Sequence, residues 1–300
     1  TTVHSQQGVL KTHKAIYGLK QSARAWYGRL SEYLISLGFQ VNPVDPSLFQ
    51  RELGGKMFFV QVYVDDLGLA AKCKVQLAEF KAAMHREFRM KELGETTYYL
   101  GIHFIHHPQT RTIHLHQERY ILQLLKTFNM EDCKPVRTPM EENHSLTEVE
   151  ALKPGEEEEM SQVPYAQLIG SLNYLSCCTR PDITFSVSLL SRFTGKGRTR
   201  RMHWEAAKRV CRYLKGTLTR GITLGGSRPL QLQAHADASW ADDAQDRRST
   251  LGYCTSLGSG PISWKVSRSS TVAQSTTESE YYAAGEAAKE VVHLRQLLKS

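Results

Sequence analysis

Met57-Phe58-Phe59-Val60-Gln61-Val62-Tyr63-Val64-Asp65-Asp66-Leu67-Gly68-Leu69-Ala70 decides the fold class of this chain. The stretch is aromatic, β-branched and apolar on both sides of one acidic dipeptide. That pattern predicts strand, turn, strand, with Asp65-Asp66 at the tip. A hairpin alone is marginal in water and needs further strands or a helix over one face. Helical patterns stand on both sides of it. Ala15 to Leu37 carries Trp26, Leu30, Tyr33 and Leu34 on one face and meets a stop at Gly38. Leu77, Phe80, Met84 and Phe88 have amphipathic helical spacing. The N-terminal part is therefore mixed helix and sheet.

The pattern changes downstream. Tyr98–Phe104 and Thr112–His116 flank His107-Pro108-Gln109, a hairpin candidate, and Tyr120, Ile121, Leu124, Leu125 and Phe128 mark a helix. Helices are expected at Tyr165–Cys177, Asp182–Phe193 and His203–Leu214. Past Gly225-Gly226 the pattern turns strand-like at Leu230–Ala236, Ser249–Leu257 and Pro261–Val266. An Ala-rich helix closes the chain at Thr277–Leu298, with Tyr281, Ala284, Ala288, Val291 and Leu298 expected on one side. The fold class is α/β in the broad sense (α+β), with no internal repeat.

Composition narrows the function classes. The 300 residues are 41% hydrophobic and 23% charged, which excludes a disordered or collagen-like chain. That length is enough for two medium domains. No run of roughly 18 apolar residues occurs, so no membrane-spanning helix is expected. The opening TTVHSQQG is no signal peptide, and a chain starting at Thr1 is expected to begin inside a longer one. The six cysteines include no CxxC pair, and Cys177-Cys178 are adjacent, so free thiols in a reducing compartment are expected rather than a disulfide scaffold. No GxxxxGK[ST], GxGxxG or GxSxG motif appears.

Charge is unevenly distributed. Net charge is +8, from 38 Lys and Arg against 30 Asp and Glu. Glu141–Met160 holds eight Glu and one Lys and reads as a solvated linker. Arg192–Arg220 holds ten Lys and Arg against the single acid Glu205, with Phe193, Trp204 and Tyr213 between them. Such a tract suits a phosphate backbone, with Arg198, Arg200, Arg201, Lys208, Arg209, Arg212 and Lys215 as candidate contacts. A solvated helix face is the plain alternative.

Adjacent carboxylates on a rigid tip can hold a divalent cation suited to phosphoryl transfer. From spacing alone a plain acidic turn is the favoured reading of Asp65-Asp66, because such pairs are frequent. Asp237 follows a strand-like stretch, and Glu278 and Glu280 open the last helix. A strand Asp with a helix Glu can form half of a metal-holding cluster, although Glu in a first helical turn also favours the macrodipole. Asp242, Asp243 and Asp246 are expected in a solvated loop with Arg247 and Arg248. His103, His106, His107, His114 and His116 crowd one hairpin, either as surface residues or as a metal site through His114 and His116.

Taken in order, these motifs resemble the reverse transcriptase and ribonuclease H part of copia-type retrotransposon polyproteins. The segment Lys14-Ala15-Ile16-Tyr17-Gly18-Leu19-Lys20-Gln21 with Arg24-Ala25-Trp26-Tyr27, the Tyr63-Val64-Asp65-Asp66 tetrad and Leu100-Gly101-Ile102 resemble the polymerase half. Gln167–Leu175, Thr179-Arg180-Pro181-Asp182-Ile183, His203-Trp204 and Arg212–Thr217 resemble the connecting region. Asp237 with Trp240, Arg247–Thr250 with Gly252-Tyr253, Ile262-Ser263-Trp264 and Thr277–Tyr281 resemble the nuclease half. The likeness runs from about Leu10 to the end. Ala23, Gly68 and Ala238-Ser239 depart from the usual pattern without removing a carboxylate.

The resemblance implies a partial polymerase palm and thumb, a helical connection and a partial ribonuclease H-like domain. The implied segments are 1–137 for the reverse transcriptase part, 138–162 for the acidic linker, 163–222 for the basic connection and 223–300 for the nuclease part. It implies Asp65 and Asp66, and separately Asp237 and Glu280, as catalytic magnesium ligands. Glu280-Tyr281-Tyr282-Ala283 fits the nuclease pattern better than Glu278 does. Implied partners are an RNA template, a DNA primer, RNA–DNA hybrids and dNTPs, in a virus-like particle or the nucleus, with no membrane. The family's first polymerase Asp, its fingers and its later nuclease carboxylates have no counterpart here, so the 300 residues alone are expected to be inactive. A non-catalytic nucleic-acid-binding protein, or a relic, is the alternative.

Overall fold

The computed structural model describes residues 15–300 apart from 17, 20, 142–145, 147–154, 196 and 244. Lys14, Tyr17 and Lys20 of the first motif and much of the acidic linker lie outside the described residues. The chain divides into two units, one reaching to Gly94 and including His293–Ser300, the other Glu95–Val292.

In the first unit, α1 (Ser22–Ser36) starts later than the Ala15 expected from its apolar spacing. The Ser22 hydroxyl donates to the Ile16 carbonyl at 2.5 Å, which turns the chain just before the helix. Gly38 ends it at φ +83°, as a left-handed C-terminal glycine does. A four-stranded antiparallel meander follows: β1 (Gln40–Val41), β2 (Leu48–Leu53), β3 (Lys56–Tyr63) and β4 (Asp66–Ala71). Alternation along β3 buries Phe58, Val60 and Val62. These meet Leu30 and Leu34 of α1, and Phe80 and Met84 of α2 (Lys74–Glu87), in one core. Phe39, Phe58 and Phe80 pack edge to face, with centroids 5.2–5.4 Å apart. The meander is thus a rigid base for the β3–β4 tip.

The second unit begins with β5 (Tyr98–Tyr99), β6 (Ile102–His107), β7 (Thr112–His116) and α3 (Glu118–Thr127). Its helices are α4 (Glu156–Gln162), α5 (Tyr165–Cys178), α6 (Thr184–Ser191) and α7 (Arg201–Lys215). The expected helix start at Asp182 is instead a 3-10 turn, Pro181–Ile183, opened by Pro181. β8 (Ile222–Gly225) then joins β7 as the fourth strand of a β5-β6-β7-β8 sheet. Gly221 permits that approach, because a Cβ there would lie 1.9 Å from the Leu115 carbonyl oxygen. β8 straddles the implied boundary at 222/223 and pairs with β7 of the 1–137 segment in one sheet.

A second meander, β9 (Leu232–Ser239), β10 (Thr250–Leu257) and β11 (Gly260–Arg268), precedes α8 (Thr276–Lys299). Leu168, Leu172 and Leu175 of α5, Val187 and Leu190 of α6, and Ala207, Val210 and Leu214 of α7 form the main core. Within this unit α8 buries Ser279, Ala283 and Ala287. The side expected from sequence is the outer one: Tyr281 is 75% exposed. An Ala-rich helix has small residues all round, so packing rather than hydropathy selects its inner face.

Candidate active site

The ladder between β3 and β4 closes at Tyr63↔Asp66, leaving Val64 and Asp65 as a two-residue turn. Val64 sits at φ +54°, a left-handed conformation that a β-branched residue adopts only under constraint. The two-residue closure of the hairpin imposes it, and Trp26 Nε1 of α1 donates to the Val64 carbonyl at 2.6 Å. Both carboxylates of the turn are exposed. Neither forms an ion pair or a side-chain hydrogen bond with a described residue. Asp45 borders the cavity beside the turn, but its Oδ1 accepts the N–H and O–H of Ser47 at 2.9 and 2.7 Å.

The second carboxylate pair stands on β9 and α8. Asp237 lies inside β9, opposite Gly252, rather than just beyond a strand end as expected. Glu280 is exposed and lines an open cavity with Thr276, Thr277, Tyr281 and Ala284. Glu278, two residues earlier, is committed elsewhere. Its carboxylate accepts the Tyr282 hydroxyl at 2.5 Å and the Gln274 N–H at 2.7 Å. Those bonds, the Tyr282 hydroxyl first, hold its pKa below the usual carboxylate value. Glu278 therefore closes the N-terminal end of α8 in the manner of a capping box.

Donor chemistry suits a hard cation. Carboxylate oxygens are magnesium ligands, and such an ion is often held by one or two carboxylates plus substrate phosphates. Among the described residues no group of three or more His, Cys, Asp or Glu is arranged to hold a metal. Asp65 with Asp66 supplies donors for one ion rather than a closed cage. The hairpin histidines form no group of three metal-ligating residues among the described residues. His114 engages Thr223 Oγ1 and the Thr219 carbonyl, both at 3.0 Å. The His103 and His116 rings lie 4.8 Å apart at a tilt of 31°, and burial lowers the pKa of each.

Residues 2–142 match the family described as Reverse transcriptase (RNA-dependent DNA polymerase). A Pol polyprotein from transposon TNT 1-94 of Nicotiana tabacum is 37% identical over 293 residues, which is 97% of this chain and 22% of that protein. One from transposon RE2 of Arabidopsis thaliana is 40% identical over 290 residues, 97% of this chain and 19% of that protein. A transposon Ty5-1 protein of Saccharomyces cerevisiae is 30% identical over 286 residues, covering 94% of this chain and 90% of that protein. The chain belongs to the copia-type retrotransposon Pol family. It spans about a fifth of the two Pol polyproteins. No solved structure matches it.

In this copia-type chain the basic tract is not a bare cationic stripe. Arg201 pairs with Glu159, and its backbone N–H donates to Glu156 at 2.9 Å. Arg209 reaches Glu141 at 2.6 Å, and Lys208 reaches Glu205 at 2.6 Å. Arg212 donates to the Lys134 carbonyl at 2.8 Å, and Lys215 to that of Glu131. Arg200 bonds the Gly197 carbonyl at 3.0 Å, whereas Arg198 is exposed without a side-chain hydrogen bond to a described residue. The acidic segment, read from sequence as solvated, supplies counter-charges to α7.

Asp243 also departs from expectation. It is buried, not solvated, and pairs with Arg192 at 3.2 Å and Arg268 at 3.0 Å. Sequence reasoning assigned no site role to Trp26, although its place on the apolar face of the first helix was legible. Nothing in the sequence reveals that its indole meets the Val64–Asp65 turn.

Proposed function

We propose that this copia-type chain carries the part of an RNA-directed DNA polymerase that presents two catalytic carboxylates, Asp65 and Asp66, followed by part of a ribonuclease H-like domain using Asp237 and Glu280. One observation carries the reading: a short turn on a rigid meander presents adjacent, exposed carboxylates that no described cation neutralises. On this reading the first unit corresponds to palm elements, α3 and α5–α7 to thumb and connection, and β9–β11 with α8 to the nuclease part.

Asp65 and Asp66 would hold magnesium, which when bound polarises phosphate oxygens and lowers the pKa of an attacking hydroxyl. The protein's own contribution is positional. The β3–β4 ladder fixes the turn, and its neighbours Tyr63 and Val64 are half exposed, leaving the tip open to a primer–template end. Asp237 and Glu280 would serve RNA hydrolysis in RNA–DNA hybrids in the same way. With only two described carboxylates at the tip, the 300 residues alone hold the ions too loosely for efficient synthesis.

Magnesium-dependent primer extension tests the reading. The Pol polyprotein containing this segment is expected to extend a primer on RNA and to lose extension in Asp65→Asn. Undiminished extension in that variant refutes the assignment. Clear extension by the isolated chain, lost in Asp65→Asn, refutes its inactivity alone.

A further inference from the structure

We propose that Trp26 is a positioning residue for the Asp65–Asp66 pair, holding the strained Val64 turn in the orientation that presents both carboxylates. The inference rests on the reading of that pair as the metal-holding end of the polymerase site.

Val64 at φ +54° has no glycine-like freedom, and its side chain is 50% exposed, so packing on that side chain does not impose the conformation. An open cavity of about 420 Å³, bounded by Ala23, Tyr27, Pro46, Val62 and Val64, lies against the turn. The two-residue connection of β3 to β4 itself calls for a positive φ at its first position, and the 2.6 Å hydrogen bond from Trp26 Nε1 to the Val64 carbonyl ties that turn to α1 from outside the ladder. A peptide unit is planar, so fixing the Val64 oxygen fixes the plane that leads into the Asp65 Cα. The direction of the first carboxylate then follows.

Trp26 is itself well held. Its ring meets Phe88 edge to face at 5.4 Å, and Phe88 meets Tyr33 at 5.4 Å. The Tyr33 hydroxyl donates to the Ala83 carbonyl at 2.8 Å. The row Trp26–Phe88–Tyr33 thus ties the turn to the body of α1 and α2. Among the described residues no other side chain hydrogen-bonds the Val64–Asp65 turn.

Trp26→Phe keeps the ring on Phe88 and deletes only the donor. In the 15N-labelled 300-residue chain, amide exchange of Asp65 and Asp66 is expected to accelerate in Trp26→Phe while exchange in β2 stays unchanged. Mn²⁺ affinity, read by paramagnetic relaxation, is expected to fall about five-fold, the size of one ordinary hydrogen bond. Unchanged exchange and affinity in a folded Trp26→Phe overturn the proposal. Asp65→Asn separates the two readings: Mn²⁺ binding that survives it removes the metal assignment, while the exchange data still judge the tether. If Trp26→Phe does not fold, the wild-type indole decides. The Trp26 Nε1 proton is expected to exchange more slowly than that of Trp204, which has no acceptor among the described residues, and equal rates overturn the proposal.

Discussion

Arg180 and Asp182 form a two-pronged ion pair with the guanidinium fully buried: Nε donates to Oδ1 at 2.9 Å and Nη2 to Oδ2 at 2.8 Å. Arg180 also donates to the Thr217 carbonyl at 3.1 Å and hydroxyl at 2.7 Å, and Tyr213 donates to Asp182 at 2.6 Å. The pair pins the turn after α5 to the end of α7. Arg180→Ala deletes two charged hydrogen bonds from a carboxylate that keeps Tyr213 and has Arg220 at 3.8 Å, and the expected loss is about 2 kcal/mol in urea unfolding. Arg180→Lys recovers only part of it, because an ammonium lacks the planar fork.

The same pair sets an acid limit. Burial acts to raise the Asp182 pKa, but bonds from Arg180 and Tyr213 outweigh it and bring it below the ordinary 3.8. A depressed carboxylate contributes stability that is complete above its unfolded value and disappears as pH falls through its folded value. Wild-type stability is therefore expected to decline from about pH 4 downward through this contact. The slope between pH 4 and pH 2 should flatten in Asp182→Asn, measured by urea midpoints; an unchanged slope counts against the assignment.

Glu278 and Glu280 separate structure from chemistry on one helix. Glu278→Gln weakens the cap of α8 and is expected to lower Tm by about 2–4 °C. Glu280→Gln is expected to leave Tm unchanged and to abolish hydrolysis of RNA–DNA hybrids by the Pol polyprotein. Thermal scans with a nuclease assay distinguish them, and the reverse pattern would exchange their roles.

Thiol chemistry should follow burial. Cys211 is buried, and desolvation pushes its thiol up to about 12. Cys73 lies at the N-terminal end of α2, where the N–H groups of Gln76 and Val75 lower its pKa. With iodoacetamide at neutral pH, mass spectrometry should find Cys73 labelled well before Cys211. Rapid labelling of Cys211 in the folded chain would contradict the core described here.

The counter-charges on α7 predict a gain of function. Removing the carboxylates of Glu141 and Glu159 releases Arg209 and Arg201. Glu141→Gln/Glu159→Gln is expected to bind an RNA–DNA hybrid more tightly, with log K against log[salt] steeper by roughly 0.7–0.9 per released cation. A slope equal to wild type would exclude the tract from the phosphate path.

Much was written in local sequence. The β-branched, aromatic and apolar run from Met57 to Ala70, broken by Asp65-Asp66, determined the hairpin, because residue type and a polar tip are local properties. Helical spacing likewise located α5 and α7, and ordered motifs located the family. Tertiary structure decided which groups meet. Arg180 looks like a surface residue by type and is buried because Asp182, Tyr213 and Thr217 satisfy it. Asp243 becomes a core anion through arginines on other elements, Arg192 and Arg268. The acidic run read as a solvated linker and the basic run as a phosphate track, yet Glu141 lies against Arg209 and Glu159 against Arg201. Trp26 reaches Val64 across 38 residues. Hydropathy patterns record which side of an element faces water; pairing between distant charges and hydrogen-bonding groups leaves no local period, so only the packed chain reveals it.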